Sequence, residues 1–198
     1  MFVTFEGLDG SGKTTQAELL RRRLEADGED VVATREPGGT DLGERIRDLV
    51  LHGGHVVPWA EALLYAAARA QHVDEVIRPA LARGAAVVCD RYVDSSVAYQ
   101  GGGRELGIER VLELNLIAVD GLLPDTTFLL EMTPEAGLAR INRTRDRIEL
   151  EDAAFRERAA AAYGELAARF PERIHVLDGS RPVEDLAKEV YAGVRGRS

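Results

Sequence analysis

The amino-acid sequence predicts a doubly wound α/β fold, in which helices cover both faces of a parallel β-sheet. Short β-branched, apolar runs alternate along the chain with segments whose apolar residues recur at helical spacing. The runs are mostly apolar, as expected for strands that are buried on both faces. The predicted strands are residues 2–5, 31–34, 85–89, 127–130 and 174–177.

The helical segments carry recognisable start and stop signals. The first helix is expected to end at Gly28, and a longer one, marked by apolar residues between positions 63 and 77, should kink or restart at Pro79. Thr133 can cap a helix that begins near Pro134, and the last helix should begin near Pro182. The apolar stripe of one further helix comprises Phe155, Ala159, Ala162, Tyr163 and Leu166.

The length and charge of the chain limit its class. Its 198 residues suit one domain, expected over 1–198, that buries about 70% of the unfolded surface. A net charge of −9 argues against nucleic acid or an anionic membrane as a partner. Without a secretory leader or an apolar run of about 18 residues, a cytoplasmic location is expected. The single cysteine, Cys89, lies in an apolar run and is expected to be buried and unreactive.

A glycine-rich motif directly follows the first predicted strand. Residues 7–14 read GLDGSGKT and match the G-x-x-x-x-G-K-[ST] pattern in the strand-to-helix setting that it requires. In such a loop backbone N–H groups surround nucleotide phosphates, Lys13 neutralises the β and γ oxygens, and Thr14 offers its hydroxyl to Mg²⁺. The motif therefore predicts a site for Mg·ATP. The residues expected at its phosphates are Gly7, Leu8, Asp9, Gly10, Ser11, Gly12, Lys13, Thr14 and Thr15.

The motif does not name a reaction, because unrelated enzymes share it. Five separated strings do: FEGLDG at 5–10, REPGGT at 35–40, DRY at 90–92, SSVAYQGGG at 95–103 and RDRIE at 145–149. In this order they closely resemble bacterial thymidylate kinase over nearly the whole chain. The resemblance implies a three-layer P-loop NTPase fold with a five-stranded parallel sheet, a homodimer packed through helices and a mobile lid at about 139–151. The implied reaction transfers the terminal phosphate of ATP to dTMP, for dTTP synthesis.

The resemblance also implies roles for individual residues. Asp90 would hold Mg²⁺ through water, alongside Thr14, and Arg91 would hold the dTMP phosphate. The implied catalytic residues are Lys13, Arg91, Asp9, Arg143 and Arg145, of which the last two would close over the phosphates from the lid. The implied dTMP-binding residues are Arg35, Glu36, Pro37, Tyr65, Arg69, Arg91, Ser96, Tyr99 and Gln100.

Several of these residues have a structural alternative. Tyr65 and Arg69 stand four apart and share a helix face, so they could line one base pocket, although Tyr65 could equally be a core residue. Asp90 and Arg91 could be a structural ion pair. The arginines between positions 138 and 149 could form a solvated helix face. Arg181, which would pass beside adenine, could simply be solvated.

Three other functions remain open. Another nucleoside monophosphate kinase would use the same chemistry with a different base pocket. A deoxynucleoside kinase needs a carboxylate to take a proton from its acceptor hydroxyl, and Glu6, at the end of the first strand, stands about where that base is expected. A P-loop regulator without turnover should lack acceptor-site residues, whereas Arg35, Arg69 and Arg91 are all retained.

Overall fold

The computed structural model describes residues 1–142 and 144–196. Its five strands form one parallel sheet in the order β2-β3-β1-β4-β5. The bounds are β1 Phe2–Glu6, β2 Val31–Arg35, β3 Ala86–Asp90, β4 Thr126–Glu131 and β5 Ile174–Asp178. The predicted α/β fold and all five predicted strands are confirmed, with ends that differ by one residue.

Alternate residues of the strands pack on opposite faces of the sheet. On β1, Phe2 belongs to one apolar cluster, whereas Val3 and Phe5 belong to the other. On β3, Cys89 lies in the first cluster and Val88 in the second. Because both faces are covered, each strand needs apolar residues at nearly every position, which is the pattern that the sequence shows.

The helices flank the sheet as α1 to α9. The bounds are α1 Lys13–Ala26, α2 Asp41–His52, α3 Pro58–His72, α4 Arg78–Ala82, α5 Val93–Ser96, α6 Ile108–Ala118, α7 Pro134–Ala139, α8 Ala153–Arg169 and α9 Val183–Arg195, with π-helical turns at Val73–Ile77 and Val97–Gly103. No helix in the described part of the chain is long and apolar enough to span a membrane.

Several predicted helix starts agree with the structure. A π-helical turn precedes α4, which begins at Arg78, one residue before Pro79, a residue that cannot donate a backbone hydrogen bond. Thr133 caps α7, where its Oγ1 accepts from the Ala136 N–H at 3.3 Å. The predicted stripe from Phe155 to Leu166 is wholly buried on α8. Helices α2, α5 and α6 are additions to the predicted set.

On α3 the predicted apolar marker Leu63 lies outside the core. The Leu63 side chain is 54% exposed, whereas polar residues of the same helix, Glu61, Arg69 and His72, are buried. The buried face of α3 therefore combines these polar groups with Ala62, Ala66 and Ala68, and Arg69 also lines the candidate site.

The carboxyl ends of the parallel strands share one edge of the sheet. Every strand ends there in a charged residue: Glu6, Arg35, Asp90, Glu131 and Asp178. In folds of this kind ligands bind outside this edge. The concentration of charge at one edge therefore locates the candidate site.

Candidate active site

The loop between β1 and α1 has a backbone that only glycine adopts readily. Gly7 and Gly10 have φ values of +135° and +80°. A Cβ at Gly7 would lie 2.4 Å from the Leu130 carbonyl oxygen, and one at Gly10 would lie 2.0 Å from the Gly137 oxygen. Helix α1 has no side-chain cap and no acidic residue in its first turn. Its N-terminal N–H groups are thus open to an anion.

Lys13 supplies the cation of this loop. Its Nζ donates to the Leu8 carbonyl oxygen at 2.8 Å, and its side chain is buried. Burial, and then the nearby charge of Arg91, lowers the pKa of Lys13 to about 8. At neutral pH the ammonium group is therefore still mostly protonated, and it can pair with phosphate oxygens.

Thr14 and Asp90 present oxygen atoms suited to a hard cation. The Thr14 hydroxyl donates to Asp90 Oδ2 at 2.5 Å. The second carboxylate oxygen, Asp90 Oδ1, is buried and has no hydrogen-bond partner among the described residues. Mg²⁺ prefers oxygen ligands and keeps several waters, so a hydroxyl and a carboxylate with an unsatisfied oxygen fit this ion.

Arg91 is fixed at the end of β3. It has a φ of +72°, unusual for a residue other than glycine, and its guanidinium donates to the Gly7 carbonyl oxygen at 3.0 Å. It also forms an ion pair with Asp9 and lies 5.3 Å from the centre of the Tyr99 ring. Tyr99 donates in turn to Asp9 Oδ2 at 2.9 Å. Burial would raise the pKa of Asp9, but Arg91, Lys13 and these hydrogen bonds lower it below its usual value.

Glu6 lies behind Arg91 with no exposed surface. Its carboxylate accepts from the backbone N–H groups of Tyr92 at 2.7 Å and Ser95 at 3.2 Å, and from the hydroxyls of Ser95 and Tyr163. Burial, and then the charge of Asp94, raises the pKa of Glu6 to about 7. These contacts bind the loop after β3 to the residue that precedes the P-loop, so they set the position of Arg91.

Two cavities meet at this edge of the sheet. A cleft of about 790 Å³ lies over the P-loop, and a smaller cavity of about 110 Å³ adjoins it. The residues that line both are Asp9, Glu36, Arg47 and Arg91. Of the predicted residues, the cleft brings together Asp9, Gly10, Ser11, Gly12, Lys13, Thr14, Thr15, Arg35, Asp90, Arg91 and Arg181, and the smaller cavity Glu36, Pro37, Tyr65, Arg69, Ser96, Tyr99 and Gln100.

Arg69 is held rigidly in the wall of the smaller cavity. Its Nε donates to Glu36 Oε2 at 2.6 Å, its Nη1 donates to Ser96 and Asn115, and its Nη2 donates to the Tyr92 carbonyl oxygen at 2.9 Å. A guanidinium has five N–H donors, so these contacts within the described chain leave one N–H for a ligand. Tyr65 also lines this cavity, as its helical spacing from Arg69 predicts.

The predicted lid contributes unevenly to the site. Arg140 lines the cleft and donates to the Gly179 carbonyl oxygen at 3.1 Å. Arg147 donates to Glu61 at 2.7 Å and to the Val50 carbonyl oxygen, so it connects this segment to α2 and α3. Arg145 is exposed and lines neither cavity. Arg143 lies outside the described residues.

Arg35 and Arg181, two of the predicted site residues, each form an ion pair with an acidic residue. Arg35, which was predicted at the dTMP site, lines the phosphate cleft and forms a two-pronged ion pair with Glu44 at 2.9 and 3.1 Å. Arg181 lines the same cleft and pairs with Glu189 at 2.6 Å. Both arginines are partly exposed, so they can exchange these partners for phosphate or a base at small cost.

Sequence reasoning assigned no role to several residues that line the site, among them Arg47 and Asp146. Arg47 lies on α2, lines both cavities and donates to the Pro37 carbonyl oxygen at 3.0 Å. Burial lowers its pKa. The apolar spacing of Ile46 and Val50 indicates an amphipathic helix, and this signal could have placed Arg47 beside its buried face. Asp146 lines the smaller cavity, and although it belongs to the RDRIE string at 145–149, the sequence analysis gave it no role.

A P-loop cleft that shares a wall with a second polar cavity defines a class of protein, the P-loop nucleotide kinases, in which donor and acceptor phosphates meet. The family model for thymidylate kinase matches residues 5–190. The chain belongs to the thymidylate kinase family.

Individual relatives agree with this assignment. The thymidylate kinase of Leifsonia xyli subsp. xyli is 56% identical over 201 residues, covering 100% of this chain and 95% of the relative. That of Clavibacter sepedonicus is 55% identical over 196 residues, covering 97% and 93%. A solved structure of thymidylate kinase from Ehrlichia chaffeensis matches with a TM-score of 0.83 at 34% identity and covers 98% of each chain.

The pKa of Lys13 generates a prediction for ATP binding. Above pH 8 the lysine of the free protein loses its proton, so binding a phosphate chain must take a proton up. The affinity for ATP should fall by up to about tenfold per pH unit between about pH 8 and 9.5, where ATP is already fully ionised. Calorimetric titration across this range measures the fall. A Lys13→Gln variant should bind more weakly with no such slope, and a flat profile for the unmodified protein would contradict the assignment.

Proposed function

We propose that this chain transfers the γ-phosphate of Mg·ATP to the phosphate of dTMP and thereby makes dTDP for dTTP synthesis. The observation that carries the proposal is the shared wall of the two cavities. Arg91 stands in that wall, with Lys13 on one side and the base-binding residues on the other. Two nucleotides bound in these cavities have their phosphates between the two cations.

The residues divide the work of binding and charge stabilisation. The P-loop N–H groups and Lys13 hold the donor phosphates, and Arg91 grips the acceptor phosphate as a planar fork. Thr14 and Asp90 would hold Mg²⁺, which neutralises charge on the β and γ oxygens when bound. Phosphoryl transfer needs little beyond alignment and such stabilisation, so a set of fixed cations suffices.

The acceptor requires no general base. The second pKa of a phosphate monoester is near 6, so dTMP is mostly dianionic at neutral pH. Glu6, the base that a deoxynucleoside kinase would need, is fully buried, and both of its oxygens accept hydrogen bonds from described residues. The geometry therefore favours a phosphate acceptor over a hydroxyl acceptor.

The smaller cavity suits thymine and a deoxyribose. Tyr65 offers a ring for stacking, and Arg69 offers its remaining N–H to a carbonyl oxygen of the base. The Tyr99 ring lies under Arg91, where it would crowd a ribose 2′-hydroxyl. One methyl group separates dTMP from dUMP, a difference worth only about 1–3 kcal/mol, so the preference between these two acceptors is modest.

The segment at about 139–151 is proposed to act as a lid. Arg140 already lines the cleft, whereas Arg145 is exposed and would reach the phosphates only after movement of this segment. Arg143 and Arg145 are proposed to neutralise charge on the transferred group once the lid closes. Arg181 is proposed to lie beside adenine.

A cytoplasmic homodimer is proposed as the working form. Exposed apolar residues lie on two neighbouring helices, with Leu63 of α3 54% exposed and Ile117 of α6 73% exposed. Arg110 of α6 lies 4.6 Å from the centre of the Trp59 ring of α3, so the two helices present adjoining surfaces. A second copy of the chain would cover this apolar surface.

The activity is tested by coupled ADP release with dTMP, dUMP, thymidine or no acceptor. We expect turnover with dTMP, less with dUMP, and none with thymidine because a hydroxyl finds no base. The rate without acceptor measures simple ATP hydrolysis. Turnover with thymidine alone, or equal turnover without any acceptor, would overturn the proposed function.

Arg91→Ala should lower kcat by about 10²–10³-fold, because it removes a cation from the phosphates and leaves Asp9 without its partner. The matched control is Cys89→Ala, two residues away in a fully buried position, where kcat should stay within about twofold. Steady-state kinetics with thermal melting of both variants checks this. Equal losses of kcat in the two variants would remove Arg91 from its assigned role.

Leu63→Glu should convert the dimer to monomers, because a carboxylate in an apolar interface is desolvated without a partner. Val176→Glu is the control, since Val176 is 48% exposed and lies on β5, which packs against β4 and α8. Sedimentation equilibrium gives the mass of each variant. A monomeric unmodified protein, or a dimeric Leu63→Glu variant, would refute this interface.

A further inference from the structure

Glu61 is a buried carboxylate that touches neither cavity but adjoins the smaller one. It lies in the first turn of α3 and has no exposed surface. It accepts from Gln100 Nε2 at 2.9 Å, from Arg104 Nε and Nη2 at 3.1 Å each, and from Arg147 Nη2 at 2.7 Å. A buried carboxylate is costly unless it is paired, and the two arginines here provide the pairing.

The hydrogen bond to Glu61 fixes the orientation of the Gln100 side-chain amide. An amide oxygen turned toward a carboxylate would be repelled, whereas the NH₂ group donates to it. Gln100 is only 2% exposed and lines the smaller cavity, so it has little freedom to turn over. With its nitrogen tied to Glu61, the amide has an oxygen that the described residues leave open to a ligand.

A second group of fixed polarity, Arg69, lines the same cavity as Gln100. Arg69 has only N–H donors, and its neighbours Glu36, Ser96 and Tyr92 hold it in place. The cavity thus pairs one acceptor from Gln100 with one donor from Arg69. Thymine presents the complement, an N3–H donor beside an O4 acceptor. Cytosine presents the reverse, an N3 acceptor beside an N4 amine, so both contacts would become unfavourable.

We propose that Glu61 is a specificity-determining positioning residue, which orients Gln100 so that the site accepts pyrimidines with an N3–H donor and rejects cytosine. The proposal rests on the proposed function, since it assigns the base of the acceptor nucleotide to the smaller cavity. Sites built on fixed polar groups reject a mismatched ligand by about 10⁴–10⁵-fold, because the buried polar groups of the site are left unpaired.

The test compares dTMP with 5-methyl-dCMP as acceptors. These nucleotides share the methyl group, sugar and phosphate and differ only at the edge that Gln100 and Arg69 would read. In Glu61→Gln, residue 61 can donate as well as accept, so the Gln100 amide can turn over. We expect the ratio of kcat/KM for dTMP to that for 5-methyl-dCMP to fall at least about tenfold.

Glu151→Gln is the matched control. Glu151 pairs with Arg104 Nη1 at 2.6 Å, so this change removes one negative charge from the same arginine without touching Gln100. Its selectivity ratio should stay within about twofold of the unmodified value. A purely structural role for Glu61 would lower both acceptor rates alike and leave the ratio unchanged, and that result would overturn the proposal.

The acceptor selectivity of the unmodified protein is a second, independent test. If it uses 5-methyl-dCMP within about twofold of dTMP, the amide does not read the base edge, and the proposal fails even if Glu61→Gln does not fold. Failure of the proposed function looks different, because the unmodified protein would then phosphorylate neither nucleotide.

Discussion

The site depends on one ion pair, that between Arg91 and Asp9 at the wall between the two cavities. The pair joins the end of β3 to the P-loop, and the hydrogen bond from Arg91 to the Gly7 carbonyl oxygen strengthens that link. In the proposed function, its geometry sets the distance between Arg91 at the acceptor phosphate and the P-loop at the donor phosphates. In-line transfer is sensitive to misplacement of about 1 Å, so the surrounding contacts have value mainly because they keep Arg91 in place.

Buried carboxylates provide that support in a second layer. Glu6 holds the backbone of Tyr92 and Ser95, Glu36 holds Arg69 and His72, and Glu61 holds Gln100 with two arginines. Each acid lies where an unpaired charge would be strongly destabilising, so each determines the position of its donors. The functional groups are consequently preorganised before any ligand binds, which is the condition for electrostatic stabilisation of a transition state.

The sequence predicted what local patterns determine. Buried strands are apolar at nearly every position, and the P-loop needs glycines at fixed spacing, so both could be identified from residues alone. The resemblance to a family predicted many of the residues that line the two cavities, although Gly7, Leu8 and Arg145 line neither. The sequence did not predict the positions of Arg47 and Asp146 or the contacts of Glu61. They arise where α2, α3 and the segment after α7 approach one another in space. Leu63, which marked α3 as apolar, lies outside the core, and the buried face of this helix instead carries alanines together with Glu61, Arg69 and His72.

The central claim is that one chain holds two nucleotides at once, with their phosphates on either side of Arg91. The most direct measurement is calorimetric titration of dTMP into protein saturated with Mg²⁺ and a non-hydrolysable ATP analogue. The account predicts one dTMP bound per chain while the analogue stays bound. Release of the analogue by dTMP, or no binding of dTMP at all, would contradict it.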